Sequence, residues 1–316
     1  MLVHFVFFLY LCRLYHTLMR KIVLGILIGI LALPSLLLAQ RSEVGVFAGS
    51  SFYLGDLNRS QLFSQSRPAF GAMYRYNLTT RWTLRGNLLS GMITADDAKF
   101  DNPRNLNFRS QIHELSVQGE ISFLPYFTGS DRHRFTPYLF GGVAMFAFNP
   151  QAFFYDSEME RNRWVDLAPL STEGQGLSAY PDKKRYRTTQ LSFPFGLGFR
   201  YSLNATFSIG VEWGMRKTFT DYLDDVSGTY VDLAVLAMEI GPRAAELSDR
   251  SYPLVDLDGN RVNPVGSARG SANKTDWYSF AGITLTAKVG KGRAEPCPAN
   301  QKSAVERIRS TQRLSR

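Results

Sequence analysis

Apolar and polar residues alternate along most of the chain after residue 40. From Leu191 to Tyr201 every second residue is large and apolar, and the residues between are small, polar or charged. Residues 207–216 repeat the pattern, with Phe207 and Trp213 on one face and glycine, serine, Glu212 and Arg216 on the other. Because successive side chains of a strand point to opposite faces, each segment predicts a strand with one large apolar face.

The small, polar face distinguishes two all-β architectures. In a soluble sandwich that face would be solvated and would carry long side chains, whereas here it is mostly glycine, serine and isolated charges. Small residues suit the interior of a narrow barrel whose aromatic face is turned to lipid. The pattern favours the barrel and leaves the soluble sandwich as the alternative.

Eight segments have this character, and each is long enough for a tilted strand to cross the hydrocarbon layer. They are residues 43–53, 68–76, 82–93, 111–125, 135–148, 189–201, 207–218 and 277–289. Long connections (54–67, 94–110, 149–188 and 219–276) alternate with short ones (77–81, 126–134 and 202–206). An even strand count with long outer loops and short periplasmic turns is typical of bacterial outer-membrane proteins.

The sequence therefore predicts an all-β protein, an eight-stranded antiparallel transmembrane outer-membrane β-barrel with long extracellular loops. Aromatic residues near the predicted strand ends are expected to form the girdles at the two membrane interfaces. These girdle residues are Trp82, Tyr126, Tyr201, Trp213 and Trp277.

The first 39 residues have the organisation of a secretory signal peptide. Arg20 and Lys21 precede an apolar run over 22–33, and Ala39 is a small residue at the expected cleavage point. Residues 1–18 are interpreted as an over-extended start, with a hairpin anchor as the alternative. The predicted organisation is a signal peptide over 1–39, a barrel over 40–290 and a periplasmic tail over 291–316.

The charge pattern argues against a nucleic-acid partner. The formal net charge is +9, but basic residues are dense only at 183–185 and in the tail from Arg307 to Arg316. No aromatic-basic nucleic-acid motif accompanies them, and an export signal precedes the chain. Outer-membrane lipid is the expected environment.

Charged residues also fall on the predicted inward faces. Glu114 and Glu120 lie on the polar face of residues 111–124, and an enclosed carboxylate needs a partner. We expect a lumen charge network of Glu114, Glu120, Arg200, Glu212 and Arg216, with Arg75, Arg85 and Lys288 as further candidate partners. Because an eight-stranded barrel is filled by its own side chains, function is expected in the loops, rims or tail.

The stretch TFTDYLDDVSGTY, residues 218–230, is the strongest candidate for polar chemistry. Asp221, Asp224 and Asp225 could supply some of the oxygen ligands that calcium requires. No glycine-centred loop with a terminal glutamate follows, so a polar loop whose carboxylates accept backbone and tyrosine hydrogen bonds is the alternative. The DLDGN stretch at 256–260 resembles a calcium loop superficially and is typical of a tight turn. Neither a metal nor a cofactor is expected.

Residues for catalysis are scarce. After processing, His113 and His133 are the two histidines, they lie far apart, and no hydrolase, metalloprotease or phosphate-binding motif is present. The sequence therefore predicts no enzyme.

Cys297 is the one cysteine of the processed chain, between two prolines just after the last strand. It is expected either as an inert thiol or as one half of an intermolecular disulfide with a periplasmic partner.

Several short strings resemble one family of outer-membrane proteins. They are EVGV at 43–46, FYLGDL at 52–57, RYN at 75–77, NFRS at 107–110, TDYLDDVS at 220–227 and DWY at 276–278. Together they resemble the PorG family, small barrels of the type IX secretion system of Bacteroidetes, over nearly all of the processed chain. TDYLDDVSGTY followed by DWY is the most specific part, which makes Asp221, Tyr222, Asp224 and Asp225 a loop signature.

This resemblance implies a role as well as a fold. PorG-like proteins tie a periplasmic ring of the lipoprotein PorK and of PorN to the outer membrane, so these two are the expected partners, and PorK is the expected partner for a Cys297 disulfide. The alternative is a free-standing small barrel that acts as a narrow pore or an adhesin.

Overall fold

The computed structural model describes residues 42–100, 104–130, 133–156, 160–251, 255 and 258–289. The predicted signal peptide, the tail over 291–316 with Cys297, and Asp256 and Leu257 of the DLDGN stretch lie outside these residues. Residues Glu43–Lys288 form one compact unit, which carries the barrel.

Nine antiparallel strands make up one sheet. They are β1 (Ser42–Leu54), β2 (Arg67–Asn77), β3 (Trp82–Asp96), β4 (Asn107–Ser122), β5 (Phe135–Asp156), β6 (Arg161–Asp166), β7 (Thr189–Ser202), β8 (Phe207–Thr218) and β9 (Trp277–Val289).

Eight of these strands close into a barrel. The order β4-β3-β2-β1-β9-β8-β7-β5 is completed by pairing between β4 and β5, so that none of the eight leaves an unpaired edge. The prediction of a closed eight-stranded antiparallel barrel is confirmed.

The hairpin of β5 and β6 extends beyond the barrel. The sequence predicts a fifth strand that ends at residue 148 and a connection over 149–188, but β5 continues to Asp156 and its last part pairs with β6. Aromatic packing stabilises the extension, because the Phe153 and Trp164 rings lie 5.2 Å apart and the Arg109 guanidinium lies 4.2 Å from the Trp164 ring centre.

The two ends of the barrel differ. At the "turn end" the connections are 78–81, 123–134 and 203–206; at the "loop end" they are 55–66, 97–106, the segment from β5 to β7, and 219–276. The connection 123–134 is as long as 55–66, so length alone does not separate the two ends. The two ends differ in the total length of their connections, which is much greater at the loop end, where the connections also fold together.

Two short helices lie among the described residues of the connection 219–276: α1 (Leu233–Glu239) and α2 (Pro242–Ser248). The Asp232 carboxylate caps α1 by accepting a hydrogen bond from the Ala234 backbone N–H at 2.7 Å. Pro242 is the first residue of α2, where its missing N–H costs no hydrogen bond. No helix among the described residues is long and apolar enough to cross a membrane.

The outward face is apolar along most strands. Leu191, Phe195 and Val211 are 62%, 46% and 54% exposed, whereas the inward residues Ser192, Arg200 and Arg216 are buried. An apolar outer wall around a polar interior is the arrangement that a lipid-embedded barrel requires. The faces are those that the alternation of residues predicts.

The expected girdle residues occupy different environments. Trp82 and Tyr201 are exposed at the turn end, and Trp277 is half-buried at the start of β9. Trp213 lies in the middle of β8, where Phe63 of the connection 55–66 packs against it at 6.0 Å. Tyr126 is not a girdle residue: it is buried, and its hydroxyl donates to Ser208 at 2.7 Å, because the connection 123–134 folds across the turn end of the lumen.

Candidate functional site: the filled lumen and the loop cap

Aromatic side chains fill the part of the lumen nearest the loop end. Phe146, Tyr278 and Phe280 are each at most 2% exposed, and their rings lie 5.1 to 5.8 Å apart along the series. Glycine admits a further aromatic ring nearer the turn end. A Cβ added to Gly198 would lie 2.4 Å from the Tyr138 ring, so glycine at that position admits the tyrosine into the lumen.

Glu120 is the centre of a buried charge cluster. Its carboxylate lies 3.0 Å from Arg75, 3.1 Å from Arg85 and 3.4 Å from Arg200. The four residues come from four strands, β4, β2, β3 and β7. An ionised carboxylate with three guanidinium partners is well compensated for the loss of water. The cluster holds these strands to one another through the interior.

Glu212 extends the cluster across the lumen from β8. Arg85 donates to it at 2.7 Å, and the Tyr138 hydroxyl donates to it at 2.8 Å. Because β3 and β8 are not neighbours in the sheet, the contact between Arg85 and Glu212 spans the interior. It leaves the centre of the lumen occupied by a guanidinium and a carboxylate.

Glu114 and Arg216 form a second bridge between strands that are not neighbours, β4 and β8. The Arg216 Nε donates to Glu114 at 2.9 Å, and the Tyr278 hydroxyl donates to the same carboxylate at 3.0 Å. The guanidinium also lies 4.7 Å from the centre of the Phe280 ring, a cation–π contact that further offsets its burial. This bridge lies against the aromatic packing near the loop end.

Opposite charges in the lumen are equal in number along these strands. Arg75, Arg85, Arg200 and Arg216 face the three glutamates above and Glu43, whose carboxylate accepts from Asn77, Thr128 and Thr286. Arg200 stacks on Tyr126 and Tyr138 at 4.7 and 5.0 Å, while its Nε and Nη1 have no hydrogen-bond partner among the described residues. Lys288, a further candidate from the sequence, makes no ion pair with a described residue.

The connections at the loop end fold into a compact cap, and the signature stretch lies inside it. Leu223, Val226 and Tyr230 are at most 1% exposed, and the first two join the hydrophobic cluster that continues into the lumen. The stretch is therefore a buried part of the fold rather than an exposed polar loop.

Asp224 lies in a buried contact with residues next to the loop-end ends of the first and last strands. The Tyr53 hydroxyl of β1 lies 2.5 Å from Asp224 Oδ2 and 3.0 Å from Asp276 Oδ1, and Asp276 immediately precedes β9. Burial raises the pKa of both aspartates well above the usual value, and the neighbouring carboxyl groups add to the shift. A tyrosine has one hydroxyl proton to donate, so the two contacts favour a protonated carboxyl group in the pair.

Asp225 holds the cap together from a left-handed backbone position, φ 65°. Its carboxylate accepts from the Tyr186 hydroxyl at 2.6 Å and from the Thr172 hydroxyl. Its backbone carbonyl accepts from Arg269 at 2.6 Å. Burial raises the pKa of Asp225 to about 6, although Arg269 and the two hydroxyl groups act in the opposite direction.

Arg269 is the buried cation at the centre of the cap. It donates to Glu173 at 3.0 Å and to the Ser248 carbonyl at 3.0 Å. The Glu173 carboxylate also accepts the backbone N–H groups of Ser227 and Gly228 at 2.9 and 2.8 Å. Arg269 and Glu173 thus fix the end of the signature stretch to two other segments of the cap.

The remaining signature residues lie at the edge of this network. Asp221 is half-buried, burial raises its pKa to about 7, and its Oδ2 has no hydrogen-bond partner among the described residues. The Tyr222 ring stacks on Tyr186 at 4.6 Å. Among the described residues, no group of three or more acidic, histidine or cysteine side chains could hold a metal ion.

The histidines lie away from this cap. His113 faces outward from β4, where its Nδ1 lies 3.1 Å from the Ser90 hydroxyl, and His133 is exposed at the turn end. The structure does not bring either histidine together with the aspartates.

Sequence reasoning did not identify several residues of the lumen and the cap. Tyr138, Phe146 and Tyr278 fill the lumen, but β5 is apolar on both faces over 138–148, so alternation does not show which face points inward. The glycines of β7 opposite Tyr138 are the signal that could have indicated it. Glu173 carries no local signal, because its partners lie far away in the sequence.

The N-terminal half of the chain matches a known family model. Residues 20–172 match a domain of unknown function, DUF6089. No curated protein matches the chain.

Solved structures of small barrels resemble the chain only distantly. Ail, the attachment invasion locus protein of Yersinia pestis, is 7% identical with a TM-score of 0.37, over 78% of this chain and 97% of its own. Neisserial surface protein A is 8% identical with a TM-score of 0.35, over 78% and 96%. OprG from Pseudomonas aeruginosa is 11% identical with a TM-score of 0.30, over 78% and 97%.

Proposed function

We propose that this protein is a non-enzymatic outer-membrane barrel that anchors a partner assembly, and that the assembly is the PorK/PorN ring of the type IX secretion system. One observation carries the first part of the proposal. Ion pairs such as those between Arg85 and Glu212 span the lumen, and a lumen occupied in this way suits a membrane anchor better than a conduit.

The resemblance to the PorG family supports the second part. Three of the strings that carry the resemblance are far apart in the sequence but meet in the cap. FYLGDL contributes Tyr53, TDYLDDVS contributes Asp224 and DWY contributes Asp276, and the tyrosine hydroxyl contacts both carboxyl groups. The shared strings thus belong to one buried contact, which gives them a role in the architecture of the cap.

The proposed orientation places the loop end outside the cell and both ends of the processed chain in the periplasm. Large outer loops and small periplasmic connections are the usual arrangement of such barrels. Cysteines introduced singly at Asn204, in the turn 203–206, and at Asp258, in the cap, test it. On intact cells position 258 should react with a membrane-impermeant reagent, whereas labelling of 204 alone would reverse the orientation.

The anchoring role is tested by the size and composition of the native complex. Blue-native electrophoresis of gently solubilised envelopes should show the protein in a very large assembly, and affinity purification should recover PorK and PorN. Migration as a monomer, with neither protein recovered, would favour the free-standing pore or adhesin.

The proposed disulfide of Cys297 needs its own test. A non-reducing gel of native envelopes should show a species above the monomer mass that reductant removes, and PorK should be the second protein in it. A monomer band with and without reductant, together with unaltered secretion by Cys297→Ser, would leave this cysteine without a role in the assembly.

A further inference from the structure

A groove crosses the outer wall of the barrel at the border of the apolar belt. It has a volume of about 570 Å³ and is lined by outward side chains of β2, β3, β4, β5 and β7. Its floor is the row of paired residues Ser90, His113 and Ala147. Large apolar side chains stand along its sides: Phe70, Leu88, Leu115 and Met145.

The groove separates two kinds of surface. Toward the turn end, the outward residues of β4 are apolar or glycine from Leu115 to Ile121; toward the loop end, they are Gln111 and Arg109. On β5 the same change runs from Met145 to Asn149 and Gln151. A molecule seated in the groove would therefore contact hydrocarbon-facing residues with one part and amide and guanidinium groups with the other.

An arginine lies on the polar side of the groove. Arg109 is on the same outward face of β4 as His113, four residues nearer the loop end, and it makes no ion pair with a described residue. Arg109 donates to the Gln151 side chain at 2.9 Å, and Gln151 donates onward to Asp166 at 2.7 Å. The carboxylate therefore lies beyond the glutamine, and Arg109 has no direct carboxylate partner among the described residues.

The polar residue on the groove floor adds hydrogen-bonding capacity. The His113 Nδ1 is engaged with Ser90, whereas its Nε2 has no hydrogen-bond partner among the described residues. Near a lipid interface, a histidine edge can bond to the ester, hydroxyl or phosphate oxygens of a headgroup. The combination of an apolar groove, a hydrogen-bonding floor and an arginine without a carboxylate partner is complementary to an anionic amphiphile.

We propose that this groove binds a phosphorylated glycolipid of the outer leaflet, with an acyl chain along Leu88, Leu115 and Met145 and a phosphate at Arg109. Guanidinium–phosphate contacts are charge-assisted and are strongest where water is scarce. The inference rests on the proposed orientation, because only then does the polar side of the groove lie in the outer leaflet. It does not depend on the secretion role.

Binding to the purified full-length barrel tests the site. Native mass spectrometry would follow titration with a bis-phosphorylated lipid A, with the same lipid without phosphates, and with inorganic phosphate. Wild type should prefer the phosphorylated lipid by about tenfold or more, the range that one charge-assisted contact supplies. Arg109→Gln should lose most of this preference. Ala147→Phe, which fills the groove floor, should weaken binding of both lipids.

Lys217→Gln is the matched control. Lys217 is an exposed cation near the loop end of its strand, and it lies over Trp277 at 5.9 Å as Arg109 lies over Trp164. It lies on β8, which contributes no residue to the groove, so its loss should leave the lipid preference unchanged. All variants must first show the heat-modifiable gel shift of a folded barrel.

Three outcomes would overturn the site. Equal loss of preference in Arg109→Gln and Lys217→Gln would indicate charge without a site, and competition by inorganic phosphate at equal concentration would indicate a simple anion site. An Arg109→Gln barrel that keeps the full preference would show that Arg109 does not bind the phosphate. None of these results bears on the PorK/PorN complex, which the native gel tests separately.

Discussion

Carboxylates are buried in two different ways in the lumen and in the cap. In the lumen, Glu120 faces three guanidinium groups within 3.4 Å. In the cap, Asp224 and Asp276 share a tyrosine hydroxyl, and Asp225 relies on two hydroxyl groups and on Arg269, whose guanidinium donates to its backbone carbonyl. The three lumen glutamates are neutralised by arginines, whereas in the cap burial raises the pKa values of Asp224, Asp225 and Asp276.

Because of this difference, the stability of the lumen should depend on its charged residues, and the stability of the cap should depend on pH. Arginine stays charged at any physiological pH, so removing one member of a lumen pair leaves an uncompensated charge inside the barrel. In the cap, burial raises the pKa of Asp225 to about 6 and that of Asp221 to about 7, so the stability of the cap responds to pH. The stability of the barrel is thus expected to be nearly independent of pH near these values, whereas the stability of the cap is expected to change.

Loss of Glu120 should have the largest effect. Glu120→Ala leaves Arg75 and Arg200 without their nearest carboxylate, and breaking a buried ion pair costs roughly 3–5 kcal/mol. The temperature at which the barrel loses its heat-modifiable gel shift should fall markedly. Val117→Ala, on the lipid-facing side of the same strand, is the control and should leave this temperature nearly unchanged. An unchanged value for Glu120→Ala would show that water already compensates the arginines.

The bridge between Glu114 and Arg216 allows the charge effect to be separated from packing. Glu114→Gln keeps an acceptor for Tyr278 but leaves Arg216 uncompensated, so it should cost about 3 kcal/mol. Glu114→Gln combined with Arg216→Met removes both charges and should recover most of that loss. Denaturant unfolding followed by tryptophan fluorescence measures both. Additive losses in the double variant would contradict a direct ionic contact.

The cap should loosen as the pH rises, while the barrel does not. The folded-state pKa values of Asp225 and Asp221, about 6 and about 7, exceed the unfolded value near 3.8. The folded cap therefore binds more protons than the unfolded segment, and its stability falls as the pH rises from about 4 through these values. Hydrogen exchange of residues 219–276, corrected for intrinsic rates, should show less protection at pH 8 than at pH 5.

Asp225→Asn is the matched variant for this test. The amide cannot ionise, so the variant should reduce the pH dependence of protection in the cap while leaving the barrel strands unaffected. Protection that increases with pH in the wild-type cap would reverse the predicted sign. Equal pH dependence in the strands would show that the two regions are not distinguished in this way.

The smallest predicted effect is that of Tyr186→Phe. The variant removes the 2.6 Å hydrogen bond to Asp225 but keeps the ring that stacks on Tyr222 and Phe148. We expect a loss of about 1–2 kcal/mol confined to the cap, visible as faster exchange of residues 219–230 with an unchanged gel-shift temperature. A lower gel-shift temperature would show that the cap and the barrel unfold as one unit.

Sequence alone predicted the wall of the barrel better than its contents. A strand period of two tells which residues point inward, so Glu114, Glu120 and Arg216 could be placed in the lumen before any coordinates. Which arginine meets which glutamate depends on the stagger of strands around the barrel, and alternation carries no information about it. Because β5 is apolar on both faces, its sequence did not show whether the Tyr138 side chain points into the lumen or outward.

The cap was predicted least well because its contacts join distant segments. The sequence indicated that Asp221, Asp224 and Asp225 lie together, and it left open a calcium loop or a polar loop. It could not show that the Tyr53 hydroxyl contacts Asp224 and Asp276, because these aspartates lie 171 and 223 residues away from Tyr53 in the sequence. Burial of the stretch follows from the folding of four connections onto one another.

The electrical conductance of the purified barrel in planar lipid bilayers tests the central claim most directly. If side chains such as Arg85 and Glu212 occupy the lumen as an ionic bridge, the wild-type protein should show no steady channel openings at neutral pH. Arg85→Ala combined with Glu212→Ala, which removes this bridge, should give measurable openings and serves as the positive control. Steady openings of the wild-type barrel at low voltage would contradict a filled lumen and would favour the pore over the anchor.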